Sequence, residues 1–185
     1  MPKIIENIQG RAIEEARKEL IRNGYAALTV RGIAKKLGIG LGTFYNYFPS
    51  KDHLAACVML EDWQLLLRDF ESGLTDTGDP ERVFYGLFDL VRTFSKRYDP
   101  TWKEYEMHGS SRAMLHQYHG KLVDQLAGYL LRAIPADQKE KEPYLAGFLA
   151  ELILRFGSDS DILPETVGPA VTKLLRKEQS AAQTA

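Results

Sequence analysis

Sulfur is scarce in this chain: Cys57 is the one cysteine among 185 residues. A single thiol excludes an intramolecular disulfide framework and a cysteine-based zinc site. Histidine is also sparse, at four, so metal chemistry has few donors to draw on. No apolar run approaches the roughly 20 residues needed to span a bilayer. The opening MPKIIENIQGR lacks the apolar core of a secretion signal. The expected location is the cytoplasm, with no membrane among the partners. No segment alternates apolar and polar residues with period two, so no strand is expected. With 44% apolar and 26% charged residues the composition excludes a mainly disordered chain.

A near-neutral total, −1, conceals an asymmetry. Residues 1–53 hold 9 Lys and Arg against 5 Asp and Glu, whereas residues 54–185 hold 15 against 20. A basic front on an acidic body suits contact with a polyanion, although a surplus of four charges is also within ordinary scatter.

Helical periodicity fills the rest. Ile8, Ala12, Ala16 and Leu20 recur at i+4 up to a stop at Asn23-Gly24. Thr29 suits an N-cap for TVRGIAKKL, and Gly38-Ile39-Gly40 separates that helix from LGTFYNYF. Ser50 suits the cap of a long helix from about residue 51 to 71, with Leu54, Ala55, Val58, Met59, Leu65, Leu66 and Phe70 inward. SGLTDTGDP reads as a loop, and Pro80 as the first position of a helix that breaks at Asp99-Pro100. Further helices are expected near 101–107, 111–134, 143–156 and 164–177. The fold expected is all-α with about nine helices. Residues 1–50 form one domain, 51–178 a second, and 179–185 a disordered tail.

Two short helices across a glycine corner make a helix-turn-helix, whose second helix can enter the DNA major groove. On that helix Phe44 and Phe48 point inward with Ile39, Thr43, Asn46 and Tyr47 point outward, and Tyr45 lies at the edge. Hydroxyls can bond phosphate oxygens, and asparagine can bond an adenine edge twice. Gly42 admits a phosphate close to the backbone, and Lys51 adds cationic attraction. The competing reading is a helical hairpin inside a core, with the tyrosines as half-buried rim residues.

The run TVRGIAKKLGIGLGTFYNYFPSKDHL resembles the signature of the tetracycline-repressor (TetR) family of bacterial transcription regulators. Thr29 before Ile33-Ala34, the Gly38 turn, Gly42-Thr43, Tyr45, Phe48 and Lys51 fall in register, and the resemblance covers roughly residues 5–55. It implies a homodimer that binds a double-stranded DNA operator and is released by a small-molecule effector. By position it implies DNA contacts from Thr29, Arg31, Gly42, Thr43, Tyr45, Asn46, Tyr47 and Lys51. Of these, Thr43, Tyr45 and Lys51 are expected on phosphates and Arg31 and Asn46 on bases. The family often carries Lys or Arg where this chain has Leu41, which is expected to touch a thymine methyl or to shield the interface. The resemblance also implies dimerisation through the last two helices, about 143–156 and 164–177, with Ala146 and Gly147 allowing close approach.

Fourteen of the nineteen aromatic residues lie beyond residue 53. Trp63, Phe84, Phe88, Trp102, Tyr105 and Tyr118, with His108, Arg112 and His116, are the candidates for an effector pocket suited to a hydrophobic or aromatic ligand. Aromatics at helical spacing are more often plain core. The alternative function is a helical-bundle metal-dependent enzyme using His108, His116 and His119. It lacks a nucleophile motif, a phosphate-binding glycine loop and paired carboxylates. A protein-binding module without DNA affinity is the third reading. No enzyme activity, cofactor or resident metal is expected.

Overall fold

The computed structural model describes residues 7–74, 79–106, 109–159 and 161–175, and for 99–106 and 109–117 the backbone only. Among the described residues there is no strand, and nine helices follow one another: α1 (Ile8–Ala27), α2 (Val30–Leu37), α3 (Leu41–Tyr47), α4 (Lys51–Gly73), α5 (Pro80–Glu106), α6 (Gly109–Ala133), α7 (Ala136–Lys141), α8 (Leu145–Gly157) and α9 (Pro164–Leu175). The tail from residue 179 lies outside the described residues. No helix among them is long and apolar enough to cross a membrane.

The chain forms two compact units. The first takes in α1 to α3, the start of α4 as far as Leu65, and the segment Arg97–Leu115. Ala12, Ala16, Leu20, Ile33, Ala34, Leu37, Phe44 and Phe48 are buried in it, so the stripes of three short amphipathic helices meet in one core. The second unit holds Leu66–Lys96 and the chain from His116 onward. Its α5 buries Val83, Phe84, Leu87, Phe88, Leu90, Val91 and Phe94, and its α8 buries Leu145, Leu149 and Ile153.

Four expectations need correction. The stop at Asn23-Gly24 is a kink rather than an end: Gly24 takes φ 78 and ψ 179, and helical geometry resumes as far as Ala27. Helix α5 runs through Asp99-Pro100 to Glu106, absorbing the separate helix expected near 101–107. A helix-interior proline costs about 3 kcal/mol. The buried stripe from Val83 to Tyr98 offsets that cost. Helix α7 was not anticipated, because ADQKEK has no apolar period and no buried residue. It is tethered by Gln138, whose Nε2 donates to the Leu174 carbonyl at 2.9 Å. On α4, Leu65 is exposed instead of inward, while Asp62, Trp63 and Leu67 are buried. The covered face swings round the helix along its length.

Candidate nucleic-acid interface

Local chemistry sets the helix-turn-helix. Thr29 is extended, at φ −130 and ψ 135, and its hydroxyl accepts from the Gly32 N–H at 3.1 Å, capping α2. Gly38 closes α2 in the left-handed region, at φ 70 and ψ 31. Its N–H donates to Lys35 O at 3.1 Å and the Ile39 N–H to Ala34 O at 3.0 Å. A side chain would be strained there, so the corner needs glycine. The chain turns, and α3 starts three residues later. Helix α1 packs on α2 and α2 on α3.

Helix α3 then divides by face. Phe44 and Phe48 are fully buried, with ring centroids 5.4 Å apart. Leu41, Gly42, Thr43, Tyr45, Asn46 and Tyr47 are exposed. Tyr45 is 50% exposed and so stands outward, not at the edge. A half-buried rim for the tyrosines, as a core hairpin requires, is not what the fold presents. No atom lies within 4 Å of where a Cβ would stand at Gly42, so nothing inside the fold demands glycine at that position. Thr29 and Arg31 are exposed at the start of α2.

Lys51 is tied to the scaffold. Its ammonium lies 3.9 Å above the Tyr25 ring and 3.4 Å from the Ala26 carbonyl. The Tyr25 hydroxyl donates to Asp52. Together these fasten the start of α4 to the end of α1. Ser50 caps the same start, its hydroxyl accepting from the His53 N–H at 3.0 Å. On the other flank Lys36 reaches Glu19 at 2.9 Å and Glu15 at 3.8 Å. Its hydrogen bond holds the Glu19 carboxyl below the usual range.

Deeper in the same unit lies a cluster that periodicity did not reveal. Asp62 is 1% exposed, the one buried charged residue among those described. Its Oδ1 accepts from Arg17 Nε at 2.6 Å, and its Oδ2 from Arg97 Nη1 at 3.0 Å and the Tyr98 hydroxyl at 2.7 Å. Arg17 also reaches Glu61 at 2.8 Å. Three helices, α1, α4 and α5, therefore converge on one carboxylate. Burial, reinforced by the bond to Asp62, drives the Tyr98 phenol far above its ordinary pKa. Burial pulls the Arg17 pKa down, but its two carboxylate partners outweigh this and raise it. An acid at an inward position of α4, i+4 from Val58, was the signal in the sequence.

The residues singled out as effector contacts are divided. Trp63 is buried in the first unit, and Phe84 and Phe88 are buried in the second, where Tyr118 is half-buried. The side chains of Trp102, Tyr105, His108, Arg112 and His116 lie outside the described residues. His119 Nε2 is 3.0 Å from Glu151 Oε2, both exposed.

The model of the bacterial regulatory proteins of the tetR family matches residues 12–58. An HTH-type transcriptional regulator of Mycobacterium tuberculosis is 36% identical over 77 residues, 42% of this chain and 30% of that protein. The HTH-type transcriptional repressor KstR of Rhodococcus jostii is 28% identical over 67 residues, 32% of each chain. The matches to these curated relatives thus span about a third of their length or less. Salmonella enterica GusR, a solved structure, superposes with a TM-score of 0.62 over 94% of this chain and 98% of its own, at 21% identity, and shares the fold. The matched curated proteins are regulators by name, and none of these comparisons lends support to a metal-dependent enzyme. The capped α2, the glycine corner and the two-faced α3 all lie inside residues 12–58, the stretch that matches the tetR family of bacterial regulatory proteins.

Proposed function

We propose that this chain is a DNA-binding transcriptional regulator that acts as a homodimer, represses from a palindromic operator, and is released by a small hydrophobic or aromatic effector. The observation that carries the reading is the exposed, hydrogen-bonding face of α3, held across the Gly38 corner by a buried Phe44–Phe48 pair. Thr43, Tyr45 and Lys51 contact phosphates, Arg31 and Asn46 contact bases, and Thr29, Gly42 and Tyr47 complete the interface. The M. tuberculosis and R. jostii relatives support regulation, and the name of the latter supports repression. The chain performs no catalysis and works in the cytoplasm.

One short helix makes few base contacts, so two half-sites are needed for affinity. Helices α8 and α9 supply the dimer contact. Tyr144 is 87% and Phe148 56% exposed, an aromatic pair at i and i+4 that a twin subunit would cover. Residues 1–50 serve DNA, and 51–178 serve the effector and the dimer. The effector is received in the second unit, against Phe84 and Phe88 on α5. It releases DNA only to the extent that it binds a conformer with the wrong half-site spacing more tightly.

Selection of random-sequence duplex DNA by the purified chain, with light scattering for its mass, tests this. Enriched palindromes and a dimeric mass are expected; a strict monomer, or no enriched sequence, overturns it. Lys51→Ala should weaken binding to all sequences alike and lower the salt slope by about one unit.

A further inference from the structure

The DNA-facing helix carries no cation. The side chains exposed along α3 are Leu41, Thr43, Tyr45, Asn46 and Tyr47. Guanine is read in the major groove chiefly by Arg or Lys donating to O6 and N7, and α3 offers neither. Of the neighbouring cations, Lys36 pairs with Glu19 and Glu15, and Lys51, held over the Tyr25 ring, is the one assigned to a phosphate and not to a base. On α2, Arg31 in the first turn and Lys35 near the end remain exposed. What α3 does offer is an amide and methyl groups. Asn46 matches the N6 and N7 edge of adenine, and Leu41 matches the C5-methyl of thymine.

Leu41 is the outlier of the set. It is aliphatic yet 37% exposed, at the first position of the helix. Gly40 and Gly42 flank it, and around each the Cβ position opens onto empty space. An apolar side chain with more than a third of its surface exposed thus stands between two residues without side chains. Against a thymine methyl it leaves water at no cost in hydrogen bonds. Against a guanine it would bury O6 and N7 without donors, which is unfavourable. The same side chain therefore attracts one base and rejects another.

We propose, on the footing of the DNA-binding reading above, that Leu41 reads a thymine methyl and that the base pairs beneath α3 are A·T. Arg31 and Lys35 on α2 are then the cations left to read a G·C pair, away from the centre of α3.

The test uses the full chain and the duplex recovered by selection. A·T pairs are expected at the positions beneath α3. Replacing their thymines with deoxyuridine removes only the C5-methyl and should weaken binding about fourfold for each methyl in contact, as for one buried carbon. Leu41→Ala, checked for an unchanged helix content and unfolding midpoint, should lose a similar factor on the thymine duplex. It should then be indifferent to the replacement by deoxyuridine beneath that residue. Equal affinity of the unaltered protein for thymine and deoxyuridine duplexes overturns the proposal and leaves sequence-specific DNA binding standing, as does a selected site with G·C beneath α3. Failure to enrich any sequence overturns both.

Discussion

The two units solve the problem of helix assembly in opposite ways. In the first, α1, α4 and α5 meet on a buried charge, with Arg17, Arg97 and Tyr98 all within 3.0 Å of Asp62. In the second, helices meet at glycines. A Cβ on Gly168 would overlap the Tyr85 hydroxyl, one on Gly86 would lie 2.6 Å from the Phe70 ring, and one on Gly157 would lie 3.0 Å from Val91. A carboxylate with three directional donors prescribes how the helices are oriented, since rotation of any one breaks a bond. A glycine contact prescribes how near they are and tolerates rotation. The unit that presents α3 is thus built around orientation.

This contrast can be broken by substitution. Asp62→Ala should have the largest effect. It takes one acceptor from each of two arginines and a phenol, and removing one partner of a buried pair costs about 3–5 kcal/mol. Because Arg17 and Arg97 are partly exposed and can turn to water, the low end of that range is expected from urea unfolding. Gly168→Ala should cost about 1–3 kcal/mol through overpacking. Adding Tyr85→Phe, which deletes the clashing hydroxyl, should recover part of that loss; no recovery would mean that Tyr85 is not what α9 packs against. Thr29→Ala should cost about 1 kcal/mol by uncapping α2, measured as a lowered unfolding midpoint.

The smallest effect sharpens the comparison through pH. Tyr129 in the second unit is pushed up to about 12 by burial and by its hydrogen bond to Glu71. Its neutral form is favoured by folding, so its contribution is complete below pH 10, the ordinary value, and fades as pH rises toward 12. Tyr98 is shifted further, so its phenol should still be protonated where Tyr129 ionises. Absorbance titration of Tyr129→Phe and Tyr98→Phe separates them; a Tyr98 ionising first would contradict the polar hub.

Much of the interface was legible in the linear order. The Thr29 cap, the Gly38 corner and the inward Phe44 and Phe48 are local features, decided by hydrogen bonds and sterics within a few residues, and the structure bears them out. Other features depended on partners distant in the chain. Nothing near Lys51 announces that Tyr25 lies beneath it, and Arg17 and Asp62 are 45 residues apart. The break expected at Pro100 and the inward Leu65 fail for the same reason: local propensity yields to what packs alongside.

Sequence alone determined the helical class, the place of the glycine corner and the uncharged chemistry of the helix that follows it. These depend on side-chain type and on spacing within a turn or two. Tertiary structure alone decided that Leu41 protrudes, that Asp62 is buried among arginines and that α5 survives a proline. Each of these is a balance between local preference and surface removed from water by residues far away in the chain, and that balance exists only once the helices have met.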